Sequence, residues 1–232
     1  MSRHGSRRLA NWKTIVMKRT LIPCCLVIIC QTCIANVDVI PSTPQAAVSD
    51  SYSVVARTAH SRTWRRMDET QRIREYVELS TGLCYTDKAG RLVDSRPEIE
   101  LLAGGAGAVA ERGQHKVYFP PTLDGLIELN TPDGAWLRSR VIGLAYMDAD
   151  GRSVLIGEAT PSVGVLTGTN VMVYPDAFEG VSASVRYTYT LAAFEQDIVI
   201  EKWLPSPGAF GLSDDAKLQV LTEFIDAPEP VR

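Results

Sequence analysis

The stretch that decides the fold runs Val181-Ser182-Ala183-Ser184-Val185-Arg186-Tyr187-Thr188-Tyr189-Thr190-Leu191. Val181, Ala183, Val185, Tyr187, Tyr189 and Leu191 alternate with Ser182, Ser184, Arg186, Thr188 and Thr190. Successive side chains of an extended strand point to opposite faces, so a period of two gives one apolar and one polar face. It predicts an antiparallel strand with the first set on a core and the second in water. Val185, Tyr187 and Tyr189 should be buried, and Arg186 and Thr188 exposed. The next run, Phe194–Trp203, places Phe194, Ile198 and Ile200 on one side and Glu195, Asp197 and Glu201 on the other. Joined through Ala192-Ala193, the two runs read as a hairpin that buries Ile198 and Ile200 and exposes Asp197.

The same texture extends outward. Val141–Met147 and Arg152–Glu158 flank Asp150-Gly151, a strong hairpin signal. Lys116–Phe119 stops at Pro120-Pro121, and Leu126–Leu129 stops at the turn Thr131-Pro132-Asp133-Gly134. Gly82–Tyr85, Asp87–Gly90 and Arg91–Val93 read as strand, turn and strand. Leu218–Ile225 follows a loop holding Pro205, Pro207, Gly208 and Gly211. Many short strands with regular turns predict a mainly β fold over 76–226: an antiparallel β-sandwich or supersandwich-like double sheet. Residues 227–232, with Pro228 and Pro230, read as a linker-like tail.

The first 35 residues differ in kind. They carry Arg3, Arg7, Arg8, Lys13, Lys18 and Arg19 and no acidic residue, then the apolar run Leu21–Cys30, then Cys33-Ile34-Ala35. A basic stretch, a short apolar run and a small terminal residue describe a secretory signal peptide over 1–35. The apolar run is half the roughly 20 residues a bilayer-spanning helix needs. The protein is therefore expected to be exported to the periplasm, the cell surface or the medium. Met17 is a second candidate start. Residues 36–75 read as a partly disordered tether: Asn36–Ser53 has no clean period, and Arg57–Arg74 is rich in arginine around Asp68 and Glu69. A short helix near Met67–Arg74 is the only local order expected there.

The 232 residues fit one domain plus a tail. The chain has 24 basic and 27 acidic residues. Cleavage after Ala35 leaves 18 against 27, a net charge of −9. Such a surface argues against nucleic acid as a partner. Four of the five cysteines, Cys24, Cys25, Cys30 and Cys33, lie within the signal, so Cys84 is expected to be a lone thiol packed on a strand.

No pattern assembles a catalytic group. Gly105-Ala106-Gly107-Ala108-Val109-Ala110 resembles a dinucleotide fingerprint, but the strand ending at Pro120 leaves no room for the helix that site needs. It reads as a glycine bend between strands. Asp148-Ala149-Asp150-Gly151 hints at a calcium loop, but Arg152 stands where an oxygen ligand belongs. Only His60 and His115 follow the signal, too few for a histidine-rich zinc site. Glu195, Asp197 and Glu201 share one strand face and read as solubilising carboxylates. No catalytic, cofactor or metal residue is assigned. Tyr118, Phe119 and Trp136 border turns and are the candidate ligand surface.

Several stretches carry a resemblance: YVELSTGLCY (76–85), GLAYMDADGRSVLIGE (143–158), VMVYPDAF (171–178), VRYTYTLAAFEQDIVI (185–200) and LQVLTEFIDAP (218–228). They resemble an uncharacterised β-rich N-terminal region of large exported bacterial proteins, often ahead of RHS/YD-type repeats. The resemblance spans about 76–230 and implies an extracytoplasmic leader module whose partners are other domains of a larger protein. It transfers no catalytic residue. The function expected is a non-enzymatic exported module with a structural or binding role. The alternative is a carbohydrate-binding or carbohydrate-active supersandwich protein that meets a cell-surface glycan.

Overall fold

Sixteen strands follow one another in the computed structural model, which describes residues 51–228. They are β1 Ser53–Thr58, β2 Ser61–Met67, β3 Ile73–Leu79, β4 Cys84–Thr86, β5 Leu92–Asp94, β6 Glu100–Leu101, β7 Ala108–Ala110 and β8 Lys116–Phe119. There follow β9 Ile127–Asn130, β10 Trp136–Met147, β11 Ser153–Glu158, β12 Val165–Thr167, β13 Val171–Tyr174, β14 Ala183–Tyr189, β15 Phe194–Ile200 and β16 Lys217–Asp226. Every pairing is antiparallel. The helical content of the described residues is two single 3-10 turns, Ala103–Gly105 and Pro207–Phe210.

The sandwich expected from the alternating pattern is present. One layer is the sheet β12-β13-β14-β15. The other has seven strands, running β11-β10-β9-β8-β7-β6 with β16 also on β10. At Gly143–Met147, β10 pairs with both β11 and β16, and at Arg138–Ser139 with both β9 and β16. A strand has two edges, so β16 takes one edge of β10 while β9 and then β11 share the other. The core lies between the layers. Ala108, Val117, Phe119, Ile127, Val141 and Leu144 meet Met172, Tyr174, Ala183, Val185, Tyr187 and Tyr189. Tyr187 stacks on Phe194 at 5.5 Å and meets Tyr174 edge-on at 6.0 Å. Two buried hydroxyls tie layer to layer: Tyr174 Oη donates to the Pro120 carbonyl at 2.7 Å, and Tyr189 Oη to the His115 carbonyl at 2.8 Å.

Val185, Tyr187 and Tyr189 are buried as the period predicts, and Arg186 is exposed. Ile200 corrects the expectation: it is 42% exposed, at the end of β15, whose outer side no strand among the described residues pairs with. Ile198, expected buried, and Asp197 and Thr188, expected exposed, are all half-buried. Ser184, on the side expected to be wet, is buried under Glu201, to whose Oε1 its hydroxyl donates at 2.6 Å.

The tether expected over 36–75 is corrected over its described part. Residues 53–79 form the sheet β1-β2-β3, so the boundary placed at Tyr76 falls inside β3. Arg62 and Arg65 are set by cross-strand register against acidic partners on β3, a pattern that a search for a helical face passes over. Arg62 makes a bidentate bond to Glu78, and Arg65 pairs with Glu75 directly opposite. The short helix expected near Met67–Arg74 is the turn between β2 and β3. This sheet is joined to the rest through Asp94, which takes Arg57 at 3.0 Å and Arg62 at 3.6 Å. Gln114 adds a second joint, donating Nε2 to the carbonyls of Ala59 and Cys84 at 2.8 and 3.0 Å.

Four hairpins use one loop. In Asp68–Arg72, Asp87–Arg91, Thr131–Ala135 and Asp148–Arg152 the first residue's N–H donates to the fifth residue's carbonyl, and the fourth residue's N–H donates back to the first carbonyl. The fourth residue is left-handed in each case: Gln71, Gly90, Gly134 and Gly151 have φ of 58°, 77°, 87° and 82°. This is the three-residue hairpin loop with a glycine bulge, and glycine takes that conformation without a Cβ clash. In three of them the leading Asp carboxylate also accepts the N–H groups two and four residues on. The expected tail begins after β16 with Ala227 and Pro228; the signal over 1–35, its four cysteines and residues 229–232 lie outside the described residues.

Candidate functional site

The outer face of the seven-stranded sheet brings two of the three expected ligand residues together. Tyr118 on β8 stands directly opposite Glu128 on β9, and Glu128 directly opposite Arg138 on β10. Residues in register across neighbouring strands share a face, so these form one rank, continued by Asp226 on β16. Trp136, two residues before Arg138, lies on the same face. Its ring and that of Tyr118 are nearly parallel, 28° apart with centroids at 6.2 Å. The Arg138 guanidinium sits 5.3 Å from the Trp136 centroid and within 3.4 Å of Glu128 and 3.3 Å of Asp226. Trp136 is 36% exposed and Tyr118 half-buried.

Beside the rings is an open depression of about 390 Å³, lined by Leu102, Ala106, Tyr118, Pro120, Leu126 and Glu128 among others. The glycine bend forms its rim. Gly107, at φ 96°, passes so close to the Phe119 carbonyl that a Cβ there would overlap it at 2.1 Å. The bend thus connects β6 and β7 as expected for a glycine turn between strands.

Phe119 is corrected as a ligand residue. It is 2% exposed and points the other way, into the core, edge-on to Tyr187 and Phe194. Period two requires this: with Tyr118 outward, its neighbour faces inward. Glu128 and Arg138 were not singled out from the sequence. Their signal is register, which appears only once β8, β9 and β10 are paired.

A second aromatic face lies on the N-terminal sheet. Tyr52 meets Tyr76 at 4.9 Å, and Tyr76 stacks near Trp64 at 6.1 Å. Arg62 lies over Trp64 and Arg66 over Tyr52, at 5.5 and 4.9 Å. Trp64 Nε1 already donates to Glu78 at 2.8 Å. Its indole N–H is thus engaged within the sheet and its ring is less exposed than that of Trp136, so it offers less to a ligand than the Tyr118–Trp136 pair.

The groups weighed for chemistry are held apart in separate roles. Asp197 is bound by Arg186 at 3.0 Å, and Glu201 by Ser184. Asp148, its carboxylate buried, is filled by the backbone of its own turn and by Arg152 at 2.7 Å. Cys84 is buried beside Asp94, and burial pushes its thiol pKa up, away from the reactive thiolate. Among the described residues no three His, Cys, Asp or Glu side chains are grouped to hold a metal ion. No helix among them is long and apolar enough to cross a membrane. In comparisons of the chain with protein families, with curated proteins and with solved structures, nothing matches.

Proposed function

We propose that the chain is a non-enzymatic exported binding module whose outer sheet face takes a glycan. The observation that carries this reading is the Tyr118–Trp136 pair, two nearly parallel rings on a flat sheet surface flanked by Glu128 and Arg138. Sugar rings present apolar C–H faces and a rim of hydroxyls. Aromatic faces suit the first, and a carboxylate beside a guanidinium suits the second. The open shape of the depression fits a chain of sugars lying along the surface rather than a small molecule enclosed in a cleft. Export follows from the reading of residues 1–35, and the mature chain is then expected to start at or near Asn36 by N-terminal sequencing. The resemblance to the leader region of large exported proteins adds that such a face would be carried ahead of further domains.

The test is a glycan array followed by calorimetric titration of any oligosaccharide retained. Trp136→Ala should weaken binding at least tenfold with the thermal unfolding midpoint little changed, since Trp136 stands outside the core. Phe119→Ala damages folding instead. Glycan binding that survives Trp136→Ala and Tyr118→Ala together would overturn the placement of the site, and the absence of any retained glycan would overturn the ligand class.

A further inference from the structure

The N-terminal sheet ends in a strand that is complementary to itself. β3 is an edge: among the described residues no strand pairs with its outer side. It is seven residues long, and its apolar residues stand in solvent, with Ile73 62% and Leu79 76% exposed. Long exposed edges with apolar side chains are the templates on which further strands add.

The hydrogen-bond parity of this edge is fixed. The Ser80 N–H donates to the His60 carbonyl, and from there the β2–β3 register makes Arg62–Glu78, Trp64–Tyr76 and Arg66–Arg74 the hydrogen-bonded pairs. Arg74, Tyr76 and Glu78 therefore spend their N–H and C=O groups on β2. Those of Ile73, Glu75, Val77 and Leu79 point outward.

Parity allows an incoming antiparallel copy of β3 only where these odd-numbered residues face one another. Centring the pair on Glu75 sets Glu75 against Glu75 of the second copy, two like charges. Centring it on Val77 leaves Arg74 facing Ser80. Centring it on Tyr76 sets Arg74 against Glu78 of the second copy twice, by symmetry, and Ile73 against Leu79 twice. Glu75 and Val77 then form the inner hydrogen-bonded pairs, and the two Tyr76 rings meet across the axis, each beside its own Trp64.

We propose that β3 is a self-association edge. Two copies of the chain pair β3 to β3 about a two-fold axis through Tyr76 and fuse their N-terminal sheets into one of six strands. Arg74, held through Nε by Asp68, then faces Glu78 of the second copy, held by its own Arg62, and these opposite charges in register select this pairing over the Glu75-centred one and a second copy as occupant. The interface is small, so the dimer is weak, with a Kd on the order of micromolar or above. It leaves the Tyr118–Trp136 face untouched and would present that face twice.

Sedimentation equilibrium of the full chain over a range of concentrations tests this, with far-UV circular dichroism to confirm folding. The expected result is a reversible monomer–dimer equilibrium. Arg74→Glu should weaken it roughly tenfold, since each symmetric pair changes from opposite to like charge. Val77→Pro removes an outward N–H that β2 does not use, and should give a folded monomer. Should Val77→Pro fail to fold, Tyr76→Cys carries the test. In that register two copies of residue 76 form a non-hydrogen-bonded pair, whose Cα separation of about 4.5 Å suits a disulfide. Oxidation should then yield a 76–76 cross-link in the peptide map. A monomer at every concentration, a dimer indifferent to both Arg74→Glu and Val77→Pro, or a Tyr76→Cys dimer lacking that cross-link would each overturn the proposal.

Discussion

At the scale of single residues, Tyr187 is the centre of the core, touching Phe119, Tyr174 and Phe194 from both layers. Tyr187→Ala should cost about 3–5 kcal/mol in urea denaturation, the range for large aromatic deletions. Thr188→Ala, on the opposite face, should cost under about 1 kcal/mol. His115 carries a pH dependence. Its ring packs 4.7 Å from Tyr189 and its Nε2 is buried without a hydrogen-bond partner, so burial lowers its pKa below the usual 6.5. The folded state takes up its proton only at lower pH than the unfolded chain, which binds one as pH falls through 6.5. Stability from this residue is therefore present above pH 6.5 and is lost on acidification. Unfolding midpoints at pH 7 and pH 5 should differ, and His115→Phe, which keeps the ring contact, should reduce that difference.

At the scale of elements, the shared hairpin loop makes its own predictions. Gly151→Ala should cost about 1–2 kcal/mol, the penalty for a Cβ in the left-handed region, while Gln71→Gly should gain part of the same amount at the one loop that lacks glycine. The Asp68 carboxylate accepts from Thr70 Oγ1, the Thr70 and Arg72 amides and Arg74 Nε, which together hold its pKa at about 2. Its contribution is complete above the unfolded value of 3.8 and is lost as pH falls toward 2. Amide exchange in β2 and β3 should accelerate over that window, and Asp68→Asn should remove the pH dependence. These loops also explain what was legible. Asp150-Gly151 and Pro132-Asp133-Gly134 mark turns by the backbone they demand, so β9, β10 and β11 could be located from sequence. Asp68-Glu69-Thr70-Gln71-Arg72 makes the same loop with no glycine to announce it. Arg65, Arg62 and Arg57 looked like a solvated run because their acidic partners lie 10, 16 and 37 residues away.

At the scale of the molecule, the two aromatic candidates on the outer face were readable as exposed rings near turns. Their partners Glu128 and Arg138 were not, because cross-strand register is a property of pairing. The links between the N-terminal sheet and the rest were equally hidden: one is Asp94 with Arg57 and Arg62, and the other is the amide of Gln114, 55 residues from Ala59. Gln114→Ala should speed amide exchange in 53–79 while leaving 183–200 protected as before, since the second segment is held by the core alone. The arrangement around β10 has a temporal consequence. This twelve-residue strand is the spine of the larger layer, and one whole edge of it waits for β16, whose Asp226 pairs with a residue 88 positions earlier. Closing a loop that long is slow relative to forming hairpins. A chain made N-terminus first therefore holds that edge of β10 bare until β16 has been synthesised, and over that interval the edge is an open template for strand addition that a chaperone would have to cover.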